Sequence, residues 1–217
     1  MITTPIRDVD GVILAGGAGS RLKDSFADRN GFSMISKASI RFGSKSIVDH
    51  VVEIFRQTFT KVMVLSNESL QLEDKSVTVV SDQYLFDRRS SLVGIFNAIQ
   101  LSEKPWVCIG ACDMPFIPAE LLRLLAAKRT DKDLVIPLHR QYLQPLPAVY
   151  GVGCKDIIED QLRQGNHRVL DFFPKVSLEI VTDEMMDSVG VDPESFLNIN
   201  TVEQYKQALE IQRLRYP

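Results

Sequence analysis

Short apolar runs recur along this chain, and most stop at a small or polar residue. Residues 11–15, 62–65, 77–80, 106–109 and 134–137 are such runs, each of a length that suits one buried strand. Between them the spacing changes. After Ser46, the residues Ile47, Val51, Ile54, Phe55 and Phe59 fall on one face of a helix. Residues 91–101 and 120–128 also read as helices, with Pro118 in the place of a first-turn proline. Residues 38–42 alternate like a short strand, and Gly43-Ser44 makes a turn. Strands alternating with helices over short connections imply an α/β fold with a mostly parallel, doubly wound sheet.

The later part of the chain has a different texture. Gln144-Pro145-Leu146-Pro147-Ala148-Val149-Tyr150 is proline-punctuated and extended. Residues 155–163 form an amphipathic helix, Gly165-Asn166-His167-Arg168 a turn, and 169–173 a further short helix. Residues 177–182 read as a strand, 196–201 as a strand running into a helix cap at Thr201, and 202–213 as the closing helix. No internal repeat or low-complexity segment is present.

In open parallel sheets ligands bind beyond the carboxyl ends of the strands. Gly16, Asn67, Asp82 and Asp113 all fall at such predicted ends. The first run leads into Gly16-Gly17-Ala18-Gly19-Ser20-Arg21-Leu22. Glycine lets the backbone turn sharply and approach a ligand closely. Successive N–H groups in such a turn cradle anions, and Arg21 adds a fork of charged donors. The loop reads as a holder of a nucleotide triphosphate. A plain strand-to-helix turn has the same composition, so the glycines alone do not decide. Two other nucleotide motifs are excluded. A dinucleotide fingerprint needs a glycine where Leu22 stands, and Gly43-Ser44-Lys45-Ser46 has the wrong order for a P-loop. The polar stretch 23–33 reads as a mobile loop.

Asp113 is placed to hold Mg²⁺, a hard cation that shares itself between carboxylates and substrate phosphates, or to cap the next turn. A strand-end carboxylate contributes little packing, so Asp113→Ala is expected to abolish turnover and leave the fold intact. Asn198 and Asn200 point the same way if their strand is regular, and either amide oxygen could complete the metal shell or bind a phosphate. Lys37 lies where a cation reaches the phosphates, and Lys23 competes for that role. Asp82 can accept from guanine's N1–H and amino group and Asn67 can bond base or sugar, though each is equally suited to capping a loop. His50 reads as packed on its helix, and Ser90 and Ser91 show no nucleophile elbow.

With 217 residues, 45% of them hydrophobic, the chain suits one α/β domain. A formal charge of −3 gives no broad field for nucleic acid or an anionic membrane. No apolar run is long enough for a membrane span, and the first residues lack the apolar core of a secretory signal. Cys108, Cys112 and Cys154 make neither a disulfide framework nor a zinc spacing, which points to reduced thiols in a cytoplasmic protein.

These motifs, in this order, resemble one family. Leu14-Ala15-Gly16-Gly17 with Arg21, Lys37, Asp82, Ser91-Leu92-Val93-Gly94-Ile95, Cys112-Asp113-Met114-Pro115-Phe116, the 144–150 segment, Gly165-Asn166-His167-Arg168 and Phe196-Leu197-Asn198-Ile199-Asn200-Thr201 are similar to the molybdenum cofactor guanylyltransferases. Ser90-Ser91 stands where relatives carry Gly-Pro. The resemblance implies a Rossmann-like three-layer α/β/α nucleotidyltransferase domain over 1–217, with a nucleotide-binding part at about 10–137 and an acceptor-binding part at about 138–217. It implies GMP transfer from GTP to Mo-molybdopterin, with Mg²⁺ and release of pyrophosphate. Leu14, Ala15, Gly16, Gly17 and Gly94 would line the GTP site and Lys37 would bind phosphate. Asn67 and Asp82 would hold the guanosine and Asp113 the metal. Asn198 and Asn200 would sit near the metal or the pterin phosphate, and Arg21, Lys37 and Asp113 would carry the catalysis. Other molybdenum-cofactor biosynthesis proteins and recipient molybdoenzymes are the implied protein partners. Two alternatives stay open: a nucleotidyltransferase with another base or acceptor, and a nucleotide-binding regulator that has lost catalysis.

Overall fold

The computed structural model describes residues 4–16, 36–83, 86 and 88–215. Gly17, Arg21, Lys23 and the 23–33 stretch lie outside the described residues. Ten strands are present among those described. They are β1 (Val9–Leu14), β2 (Arg41–Phe42), β3 (Lys45–Ser46), β4 (Val62–Leu65), β5 (Thr78–Val80), β6 (Trp106–Ala111), β7 (Leu134–His139), β8 (Tyr142–Leu143), β9 (Ala148–Gly151) and β10 (Leu178–Val181). The α-helices are α1 (Ile47–Thr58), α2 (Ser91–Leu101), α3 (Ala119–Ala127), α4 (Cys154–Arg163), α5 (Asp183–Asp187) and α6 (Val202–Arg215). The main sheet runs β10-β7-β9-β6-β1-β4-β5, with β8 paired on β7. β1 pairs in parallel with both β4 and β6, and β4 with β5. β9 is antiparallel to both its neighbours. A strand from the later part of the chain thus lies in the middle of the sheet.

Alternation along the strands builds two cores. On one face, Ile13, Val64 and Cys108 pack with Phe55 and Phe59 of the α1 region and with Leu121, Leu122 and Leu125 of α3. On the other, Val12, Met63 and Ile109 pack with Ile95 and Phe96 of α2 and Ile158 and Leu162 of α4. Helices therefore cover both faces, giving the expected three layers. Glycine lets α1 approach this closely. A Cβ on Gly110 would lie 2.7 Å from Phe55 Cζ, and one on Gly11 would lie 2.8 Å from Phe59 Cδ2.

Three expected elements differ. In place of a strand over 38–42, Lys37–Ser39 is a turn of 3-10 helix, followed by the β2–β3 hairpin around Gly43 (φ 67°). Lys37 and Ala38 are consecutive and both buried. A helical turn accommodates that, whereas a strand would send one outward. Pro118 is the N-cap of α3, one position before N1. Residues 196–201 form no strand. Pro193 opens a 3-10 turn, Pro193–Phe196, and the following segment crosses the sheet's carboxyl edge, where Ile199 N–H donates to Asp113 O (2.8 Å). Thr201 does cap α6, accepting from Gln204 N–H (3.2 Å). Among the described residues no helix is long and apolar enough to cross a membrane.

Candidate active site

Parallel neighbours end on the same edge, and β1, β4, β5 and β6 are four such neighbours. Two residues beyond the last position of each stands Gly16, Asn67, Asp82 and Asp113 respectively. The chains stay bonded just past the strands, through Ala15 N–H to Leu65 O (2.8 Å), Ser66 N–H to Val80 O (2.8 Å) and Cys112 N–H to Leu14 O (3.0 Å). The loops diverge only after these bonds, so all four residues line one cavity of about 500 Å³. Leu14, Ala15, Lys37, Gly94 and Asn200 line it too.

The two ends of the cavity are chemically distinct. At one, Lys37 Nζ donates to Asp113 Oδ2 (2.8 Å) and to Asn200 Oδ1 (2.6 Å). The Lys37 and Asp113 side chains are only 10% and 19% exposed. At the other, Asn67 Nδ2 donates to Asp82 Oδ2, and Asp82 N–H donates back to Asn67 Oδ1 (3.0 Å). Gly16 lines the cavity, and among the described residues a Cβ there would meet nothing within 4 Å. Gly94 seats Leu14, whose Cδ1 would lie 3.0 Å from an added Cβ.

Asn198 is not on the cavity wall. Its Nδ2 donates to Phe196 O (3.4 Å). The shared direction expected of Asn198 and Asn200 required a regular strand, and the segment is not one. His50 is packed, edge-on to Phe42 and bonded to Phe42 O (2.7 Å). Sequence reasoning missed one pairing. Ser90 lines the cavity, and its Oγ lies 2.9 Å from Nδ1 of the buried His167. No local pattern links positions so far apart. Glu68, Arg89, Ser91 and Leu146 also line the cavity.

The donor set discriminates among metals. Among the described residues no three His, Cys, Asp or Glu side chains cluster for a metal. Asp113 and Asn200 supply oxygen only. Mg²⁺ characteristically takes one or two carboxylates and completes its shell with phosphates and water, so it fits this set, whereas a structural zinc site does not. Cys112 lines the cavity, but burial and the Asp113 charge push its thiol up to about 12, so it offers no thiolate at neutral pH. Cys108 and Cys154 are likewise free and buried.

A mostly parallel sheet with a cavity of about 500 Å³ at its carboxyl edge, walled by a glycine backbone, an amine and a carboxylate, is the architecture expected of a nucleotidyltransferase. More narrowly, the chain belongs to the MobA-like NTP transferase domain family, whose profile matches residues 11–178. A probable molybdenum cofactor guanylyltransferase of Pelotomaculum thermopropionicum is 32% identical over 194 residues, 88% of this chain and 87% of the relative. One from Carboxydothermus hydrogenoformans is 28% identical over 94% of this chain and 96% of its own. The crystal structure of molybdopterin-guanine dinucleotide biosynthesis protein A from Archaeoglobus fulgidus shares the fold, with a TM-score of 0.76 at 24% identity, covering 95% of this chain and all of the other (100%).

Proposed function

We propose that this nucleotidyltransferase moves GMP from GTP to the terminal phosphate of Mo-molybdopterin, releasing pyrophosphate, with Mg²⁺ held at Asp113. The observation that carries the reading is the single cavity shared by Gly16, Lys37, Asn67, Asp82, Asp113 and Asn200. The names of the curated relatives support the base and the acceptor.

An acceptor phosphate oxygen attacks the α-phosphorus, a new P–O bond forms, and the bond to the β-phosphate oxygen breaks. Pyrophosphate leaves with that electron pair, so no enzyme nucleophile is required. Positioning and charge neutralisation are what such a transfer needs from a protein. Gly16 leaves room for the phosphates to approach the backbone. Lys37 exchanges its bonds to Asp113 and Asn200 for phosphate oxygens, so its charge stays compensated as the ligand enters. That exchange frees the Asp113 and Asn200 oxygens, the groups that would hold Mg²⁺. Bound there, Mg²⁺ would neutralise phosphate charge. At the other end, the Asp82 carboxylate has acceptor capacity beyond its bond from Asn67, which suits the adjacent N1–H and amino donors of guanine. The three free thiols support a reduced, cytoplasmic setting, where other molybdenum-cofactor proteins and recipient molybdoenzymes would take the product.

The test is to incubate the protein with Mg²⁺ and each nucleoside triphosphate, with and without molybdopterin, and to follow pyrophosphate. Release with GTP that requires the pterin is the expected result. Release with CTP or with a sugar phosphate reassigns the base or acceptor, and binding of GTP without release under any condition makes the chain a regulator.

A further inference from the structure

We propose that His167 is a positioning residue for the nucleotide, acting through the hydroxyl of Ser90. The proposal rests on the cavity being the nucleotide site.

Ser90 stands at the N-cap of α2 and lines the cavity beside Arg89, Ser91 and Gly94. Its Oγ accepts from Val93 N–H (3.2 Å), and its carbonyl accepts from Gly94 N–H (3.1 Å). The segment between Asp82 and Ser90 therefore has both its ends on the cavity wall. Asn97 of α2 holds the first end, its Oδ1 accepting from Gln83 N–H (2.9 Å). His167 holds the second.

His167 is itself firmly held. It follows Gly165, whose positive φ (74°) turns the chain at the end of α4. On its two sides, Asn166 N–H donates to Gln161 O (3.1 Å) and Gln161 Nε2 donates to Arg168 O (2.8 Å). Asn166 Oδ1 accepts from Arg168 N–H (3.0 Å), and Asn166 Nδ2 donates to Asp171 (3.0 Å). Helices α2 and α4 share one core through Phe96, Ile158 and Leu162. The imidazole is therefore presented to Ser90 from a fixed platform.

The proposed arrangement is that Nδ1 accepts the Ser90 O–H across the 2.9 Å contact, which is the tautomer with the ring proton on Nε2. The hydroxyl then points its proton at His167 and offers the cavity a lone pair. A serine without this partner can rotate and present either group. His167 in this way fixes what the cavity wall shows to a ligand that it does not touch.

The experiment is a double-mutant cycle read by calorimetric binding of GTP, with no acceptor present. His167→Leu removes the ring nitrogen. Ser90→Gly removes the hydroxyl while keeping a residue tolerated at an N-cap. Each single change is expected to weaken GTP binding by about fivefold to tenfold, the worth of one hydrogen bond. The double change is expected to weaken it no further, because the two side chains act as one unit. His167→Asn, whose Oδ1 falls near the position of Nδ1, should restore most of the loss. Additive losses, unchanged binding in Ser90→Gly, or no rescue by Asn would each overturn the proposal. If His167→Leu does not fold, Ser90→Gly and His167→Asn still decide it. Should wild-type protein bind ATP or CTP in place of GTP, the base assignment fails while the cycle is run unchanged with that nucleotide. A wild-type protein that binds no nucleotide overturns both.

Discussion

The two ends of the cavity hold their polar groups in opposite ways. At the Lys37 end a full positive charge sits between two oxygens, Asp113 Oδ2 at 2.8 Å and Asn200 Oδ1 at 2.6 Å. Any cation that is to use those oxygens must first displace the ammonium. At the other end Asn67 and Asp82 bond each other in both directions, and the carboxylate keeps acceptor capacity to spare. On the proposed reading, the first end serves an exchange of charge during reaction and the second serves recognition. Substitutions at the first should therefore lower kcat, and substitutions at the second should raise KM.

Asp113→Ala should show the largest effect, a loss of turnover of about a thousandfold or more, because charge neutralisation at the reacting phosphates goes with it. Its effect on stability differs from the expectation for a bare strand-end carboxylate. Lys37 is 10% exposed and would lose its charged partner. A cost of about 1–2 kcal/mol follows, less than for a fully buried pair because water reaches both groups. Asp113→Asn keeps an acceptor for Lys37, so urea denaturation should show most of that stability retained while turnover stays lost. Equal instability in both variants would remove Lys37 from the explanation.

Lys37→Ala ranks next, with kcat down about a hundredfold and Asp113 left for a cation to bind unopposed. Direct Mn²⁺ binding to nucleotide-free protein, read by electron paramagnetic resonance, should be tighter in this variant than in wild type. Asp82→Ala and Asn67→Ala should each raise the KM for GTP by about tenfold with kcat nearly kept. A collapse of kcat in either would erase the distinction between the two ends.

The parallel half of the sheet was legible because its information is local. Each strand is an apolar run with a glycine or a polar residue just past it, and hydrogen bonding carries Gly16, Asn67, Asp82 and Asp113 to one edge. The antiparallel β9 was legible as an extended segment, but not as the neighbour of β6 and β7. Its Ala148 and Val149 are buried and apolar, and a strand of that composition fits many places in a sheet. The turn that aims Lys37 inward was misread because Ala38, Ile40 and Phe42 are buried and alternate with the exposed Ser39 and Arg41, which is the pattern of a strand. Asn198 was misplaced by assuming regularity in a segment that the Pro193 turn and the Ile199 bond to Asp113 O hold in another path. Ser90 and His167 meet only because α2 and α4 pack on the same face. What the sequence conceals here is contact between elements, and the Ser90–His167 pairing is entirely of that kind.

Gly16 provides the finest test, because it shares the cavity with Gly94 and differs from it in one respect. A Cβ at Gly94 would press on Leu14 Cδ1 at 3.0 Å, so Gly94→Ala disturbs the protein's own packing. Among the described residues, a Cβ at Gly16 would meet no atom within 4 Å, so within that part of the protein the added methyl falls on a ligand and not on packing. Gly16→Ala should accordingly leave the thermal midpoint unchanged and raise the KM for GTP by a modest factor, about threefold to fivefold. Gly94→Ala should lower the midpoint as well. If Gly16→Ala leaves KM untouched, the phosphates do not lie against this backbone, and the charged end of the cavity must be approached from the Asn200 side instead.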